Sequence, residues 1–405
     1  MNCKWKIAIV SFCIITLLQN VKAQNCKTTA ELDATPGKYL TASQYPWPAV
    51  RAEYFNKMNT TADKAIARKT LEQLEIIEQK SRTGFNLTGG NWENTYYSQG
   101  YLHVGKTILG QYSLQSALYE LFCANGKVTR NSEYSTVLRM YVNAIPANNL
   151  SRFINLPFGS SMGDYDLGLQ YMDWKNHKPA DVDAALISLF TFFTCNNDEL
   201  IEAINSGSKY FQDVPEKEIK LNNRSNYITR FWFVTKGNLP VLVPVSRKEY
   251  LQSLLEYYER EKLYFPKLIA KLNQDHDAGV KQYNNWQADV ADKIAVVNKV
   301  INEHDEEWLS APAIINHSED LSQNYKAKLT ERTNYNRFWK FYDAEKKGES
   351  LYKYNPAYFS ATQVAAKPQL IAIAFRFVTM PSSLRLVDNF SKHFDFEALR
   401  KFLEK

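Results

Sequence analysis

From Tyr227 to Leu251 the chain reads Tyr-Ile-Thr-Arg-Phe-Trp-Phe-Val-Thr-Lys-Gly-Asn-Leu-Pro-Val-Leu-Val-Pro-Val-Ser-Arg-Lys-Glu-Tyr-Leu. The first ten residues are rich in β-branched and aromatic side chains, as a strand requires, and Gly237-Asn238 is a turn signal. Val241 to Val245, with Pro240 and Pro244 beside it, is a second extended segment. Ser246-Arg247-Lys248-Glu249 is then a capping box: the Ser hydroxyl accepts from the amide three residues on, and Glu249 reaches back. A helix should start there and run toward Leu272, burying Leu251, Leu254, Tyr258, Phe265 and Ile269 and bending at Pro266, which lacks an amide donor. One stretch therefore commits the chain to strands and a long helix in succession, and so to the α+β class.

Downstream, Val290, Ile294, Val297 and Ile301 recur at spacings of four and three. That seam predicts a second long helix packed antiparallel on the first, a helix pair over about 247–303. Asp305 to Glu307 would oppose the helix dipole at a C-terminus, so this helix should continue through Trp308 or stop near Asn302. Asn355 to Phe359 reads as a turn, Gln369 to Val378 as a strand and Phe396 to Leu403 as a closing helix.

Upstream, Ile66, Leu71, Leu74 and Ile77 keep helical spacing between Thr61 and Lys80. Glycines 84, 89 and 90 end that pattern, and Tyr96 to Ile145 is strand-rich with an Asn125-Gly126 turn, although Leu114 to Leu121 equally suits a short helix. Ala184 to Thr194 fits a buried strand or a core helix, and Asn197-Asp198 caps a short helix ending near Gly207. The expected organisation is a signal peptide over 1–23, a mixed N-terminal region over 24–225 with many strands, and an α+β C-terminal region over 226–405.

The signal peptide rests on Lys4 and Lys6, an apolar run from Ile7 to Leu18, and cleavage after Ala23. Twelve apolar residues fall short of the roughly 20 that cross a bilayer, so no transmembrane segment is expected in the mature chain. Removing this leader takes away three lysines and no acid, lowering the formal charge from +6 to +3. So small an excess excludes a dedicated nucleic-acid binder. With 405 residues, 45% hydrophobic and 23% charged, a collagen-like or disordered chain is excluded as well. Cys26, Cys123 and Cys195 remain, and a Cys123–Cys195 disulfide is expected in an oxidising compartment. The alternative is three small buried residues without a bond.

The segments Arg230 to Val234, Pro244 to Leu251, Asn355 to Phe359 and Pro368-Gln369-Leu370, with a signal ending Ala-Gln, together resemble secreted proteins of unassigned function from Bacteroidetes-type bacteria. The resemblance implies a secreted or periplasmic location and transfers no catalytic residue.

Candidate chemistry is local. Gly159-Ser-Ser161-Met-Gly163 fits the elbow of a serine hydrolase, with Ser161 as nucleophile, although Pro157 and the acids that follow do not suit a strand-to-helix turn. Asp164 and Asp166, near Asp173, Trp174 and His177, supply carboxyls for a glycosidase reading. Trp47, Trp92 and Trp174 stand in polar, Gly- or Pro-rich surroundings and are candidates for an exposed stacking face. The six histidines form no zinc pattern, so no metal and no cofactor is expected. The expectation is a non-catalytic binding or envelope-associated module for a carbohydrate or peptide ligand or an envelope protein, with a glycan or ester hydrolase as the alternative.

Overall fold

A computed structural model describes residues 28–44, 55, 57–146, 151–152, 172–173, 178–179, 188–211, 227–272, 276–315, 338, 340–343, 348–360 and 364–404. The fold is of the α+β class. The chain opens with a short helix α1 (Thr29–Asp33) closed by a Thr28/Glu31 capping box, and then a strand β1 (Tyr39–Leu40). Helix α2 (Thr61–Ser81) starts where Thr60 accepts from the Asp63 amide, and it covers the stretch that the leucine and isoleucine spacing marks out.

The four strands that follow are β2 (Gly90–Val104), β3 (Thr107–Ala124), β4 (Lys127–Arg130) and β5 (Thr136–Val142). Leu114 to Leu121, ambiguous by periodicity, lies inside β3 and is hydrogen-bonded on both sides. Pairing with two neighbours decides the matter, since both faces of β3 are buried and the run therefore lacks a clean alternation. Asn125 and Gly126 both have positive φ, 51° and 75°, the geometry of the tight turn that joins β3 to β4.

Short strands β6 (Ser151–Arg152), β7 (Met172–Asp173) and β8 (Lys178–Pro179) precede a 3-10 turn at Ser188–Thr191 and strand β9 (Phe193–Cys195). Helix α3 (Asp198–Ser206) is capped by Asn197, whose side chain accepts from the Leu200 amide, and ends on Gly207 at φ +66°. A Cβ there would stand 2.3 Å from Thr235 Oγ1, so the position needs glycine for space as well as for backbone conformation. Strands β10 (Lys209–Phe211), β11 (Ile228–Val234) and β12 (Leu242–Pro244) lead to helices α4 (Arg247–Leu272) and α5 (His276–Glu303). The Ser246 hydroxyl accepts from the Glu249 amide at 3.1 Å, and the Glu249 carboxylate pairs with Lys353.

Helix α5 ends at Glu303, and Asp305 caps a new helix, α6 (Glu306–Ser310), by accepting from the Trp308 amide at 2.8 Å. The acids that conflict with a C-terminus thus sit at an N-terminus, where the dipole favours them. Strands β13 (Ile314–Ile315), β14 (Glu349–Tyr354) and β15 (Ile371–Phe377) follow, then α7 (Pro381–His393), with proline in its first turn, and α8 (Phe396–Leu403). Helix α7 lies outside the elements expected from the sequence.

The large sheet has the order β1-β2-β3-β5-β15-β11-β10, with β4 on β3, and draws its strands from both sides of residue 225. A smaller sheet runs β12-β14-β9-β6, with β13 on β14, and β7 pairs with β8. One face of the large sheet, carrying Trp92, Tyr96, Leu114, Leu118, Met140, Ile373 and Phe375, packs on α2, α7 and α8. Each large apolar side chain buried there contributes about 1.5–3 kcal/mol. The Phe231, Phe233, Ala372 and Ala374 end of the other face packs on α3 and the small sheet. A separate core joins α4, α5 and α6 through Leu251, Leu254, Tyr258, Val290 and Val297.

Candidate functional site

Because successive strand residues point to opposite faces, the register of the large sheet assigns a second set of side chains to the face away from α2. Three rows cross the strands. Tyr97, Ser113, Tyr141 and Ala372 form the first, and Thr95, Gln115, Arg139, Ala374 and Phe231 the second. The third is Glu93, Ala117, Val137, Arg376 and Thr229. The α3 side of this face is apolar core, while its centre carries hydroxyl, amide and guanidinium groups.

These polar groups are not solvated in the ordinary way. Ser113 is 1% exposed and Gln115 is 3% exposed. Among the described residues, Ser113 Oγ, Arg139 Nε and Arg376 Nε are buried atoms without a hydrogen-bond partner. A buried donor left without an acceptor costs about 1–3 kcal/mol. The face packed on α2 carries orphaned atoms too, at Asn94 Oδ1 and Ser116 Oγ, but none on a guanidinium. Arg139 donates to the Tyr141 hydroxyl at 3.3 Å and to Gln115 Oε1, and its guanidinium lies 5.9 Å from the Tyr97 ring. Arg376 stacks on Tyr227, 4.2 Å from the ring centre. Glu93, in contrast, is clamped by Arg130, which also lies 3.7 Å over Tyr119. The arrangement can hold and orient a polar ligand.

Family models, curated proteins and solved structures give no match to this chain. The site therefore rests on geometry alone.

The residues singled out from the sequence fare differently. Ser161, Asp164, Asp166, Trp47 and Trp174 lie outside the described residues. Trp92 is corrected: it is 2% exposed, its indole N–H donates to Glu78 Oε1 at 2.9 Å, and its ring lies 6.1 Å from Phe375. The glycines before it end helix α2 and open strand β2, and the strand carries the indole into the core. The Cys123–Cys195 bridge is corrected too. Cys195 is a free, buried thiol on β9 of the small sheet, whereas Cys123 stands at the far end of β3 in the large one and is disulfide-bonded elsewhere. Burial pushes the Cys195 thiol pKa up. Among the described residues no group of His, Cys, Asp and Glu is placed to hold a metal ion, and no helix is long and apolar enough to cross a membrane.

A second polar cluster lies between α2 and β2. Glu75 accepts from the Ala42 amide, from Asn94 at 2.9 Å and from the Tyr96 hydroxyl at 2.7 Å. Glu78 accepts from Trp92 and from both ends of the Arg82 fork. Asp63 accepts from Tyr101 and from the Ala366 amide. These carboxylates are buried and engaged by donors, so they tie the helix to the sheet rather than meeting a substrate. The signal for Glu75 and Glu78 is in the sequence, since helical spacing places them on the face of Leu71 and Leu74. The rows on the opposite face leave no such trace, because they depend on the register of strands far apart in the chain.

Proposed function

We propose that this chain is an exported, non-catalytic binding protein whose ligand platform is the polar face of the large sheet around Gln115 and Arg139. The observation that carries this reading is the set of orphaned hydrogen-bonding atoms at Ser113, Arg139 and Arg376, in the interior rows of a sheet face. Arginine, glutamine, serine and tyrosine hold and orient a ligand through directed hydrogen bonds. Glu93 on the same face is engaged by Arg130, which fits a holding role better than proton transfer. Export is supported by the apolar run from Ile7 to Leu18 behind two lysines, and the resemblance to secreted Bacteroidetes-type proteins agrees with it. The ligand class that suits the platform is a carbohydrate, because exposed Tyr97 and Tyr227 offer rings beside hydrogen-bonding groups.

The test is a saccharide panel titrated onto the full chain with hydrogen exchange as readout. Binding should protect amides of β3 and β5, weaken on Gln115→Leu and leave the saccharide intact. Turnover of the saccharide, or protection confined to other elements, would overturn the reading.

A further inference from the structure

We infer that Arg139 and Arg376 together recognise a carboxylate, and that the saccharide this platform takes is acidic, of the uronic-acid class. The inference rests on the platform reading above and names its ligand. Arg376 lies opposite Val137, two residues from Arg139 on the same face, so the two guanidinium groups are diagonal neighbours across β5 and β15. Three partly buried arginines of the molecule meet acids, Arg82 with Glu78, Arg130 with Glu93 and Arg385 with Asp33, while Arg68, Arg230 and Arg247 lie singly against aromatic rings. Arg139 and Arg376 meet no acid among the described residues; their contacts are Gln115, Tyr141, Tyr97 and Tyr227.

Two cations placed side by side repel, and that arrangement is relieved by an anion between them. The Arg376 guanidinium lies 4.2 Å from the centre of the Tyr227 ring, and a guanidinium held on a ring can take a planar carboxylate with two parallel hydrogen bonds. Gln115 and Tyr141 hold the Arg139 fork from one side, leaving Nε as the donor without an acceptor. Tyr97 and Tyr227, 40% and 43% exposed, flank the pair and offer rings to a sugar.

The experiment is calorimetric titration of the full chain with trigalacturonate, its methyl ester, neutral trigalactose, inorganic phosphate and a glutamate-rich peptide. Trigalacturonate should bind, and esterification should weaken it about ten-fold or more, the loss expected for a charge-assisted pair. Arg376→Gln and Arg139→Gln should each weaken it by a similar factor with the melting temperature retained, and Arg376→Lys, which keeps the charge and loses the fork, should fall between. If Arg376→Gln does not fold, Arg376→Lys and the ester decide the matter. Equal binding of ester and acid, preference for phosphate or for the peptide, or indifference to both arginines would overturn the inference. Trigalactose binding that is lost in Gln115→Leu yet untouched by Arg376→Gln would sink the carboxylate and leave the platform standing. Failure of every saccharide to bind would remove both.

Discussion

Glu75 on α2 accepts the Tyr96 hydroxyl of β2 at 2.7 Å, inside a helix–sheet interface closed to water. The same carboxylate takes the Ala42 amide and the Asn94 side chain, so one acid gathers three parts of the chain. Glu75→Leu removes the acceptor from all three donors at once. Urea denaturation should register a loss of about 3–5 kcal/mol, against about 1.5–3 kcal/mol for Tyr96→Phe, which removes a single hydrogen bond to a charged group. A Glu75→Leu protein as stable as the wild type would show that the cluster does not tie α2 to the sheet.

Alkaline pH should unfold the protein through its buried phenols. Burial pushes the pKa values of Tyr96 and Tyr112 well above the ordinary 10.0, and that of Tyr358 up to about 12. In the unfolded chain these groups ionise near pH 10, while the folded chain keeps their protons. Their stabilising contribution is therefore complete below pH 10 and declines as pH rises above it, by about 1.4 kcal/mol per pH unit for each tyrosine. For Tyr358 the decline ends near pH 12. Phenolate absorbance should rise together with loss of the fold, and Tyr358→Phe should flatten the pH dependence between 10 and 12. Free titration of all tyrosines in the folded state would contradict the burial.

Ser113→Ala should raise stability by about 1 kcal/mol, since it deletes a buried hydroxyl that lacks a partner and introduces no cavity. A thermal melt reads the effect. Loss of stability would mean that the hydroxyl is satisfied in solution.

Cys195 should resist maleimide in the folded protein and react once denaturant exposes it, because the thiol is buried and its pKa is raised by that burial. Cys123 should stay unlabelled in denaturant until a reductant opens its disulfide. Peptide mapping by mass spectrometry separates the two sites. Rapid labelling of Cys195 in native buffer would place β9 at the surface.

Local chemistry reads well from the sequence where a few adjacent residues close their own hydrogen bonds. Asn197 caps α3 and Gly207 ends it, Asn125-Gly126 makes its turn, and Thr61–Ser81 is helical, each within a few residues of the signal that predicts it. The acids after Glu303 leave two readings of the helix end, and the stop near Asn302 is the one the structure takes, with Asp305 capping a new helix beyond it. The burial of Trp92 is not legible locally, because its neighbours in sequence are small and polar while its neighbours in space are Glu78 and Phe375.

By itself the sequence determined the class of the fold, most of its helices and turns, and the apolar stripe of α2, because these follow from propensities and spacings that act over one or two helical turns. Tertiary structure alone decided that β5 pairs with β15 across more than two hundred residues, and so that Arg139 and Arg376 share a face. Hydrogen bonding between distant strands sets that register, and a slip of one residue would turn either side chain to the opposite side of the sheet. The candidate site exists only at that level.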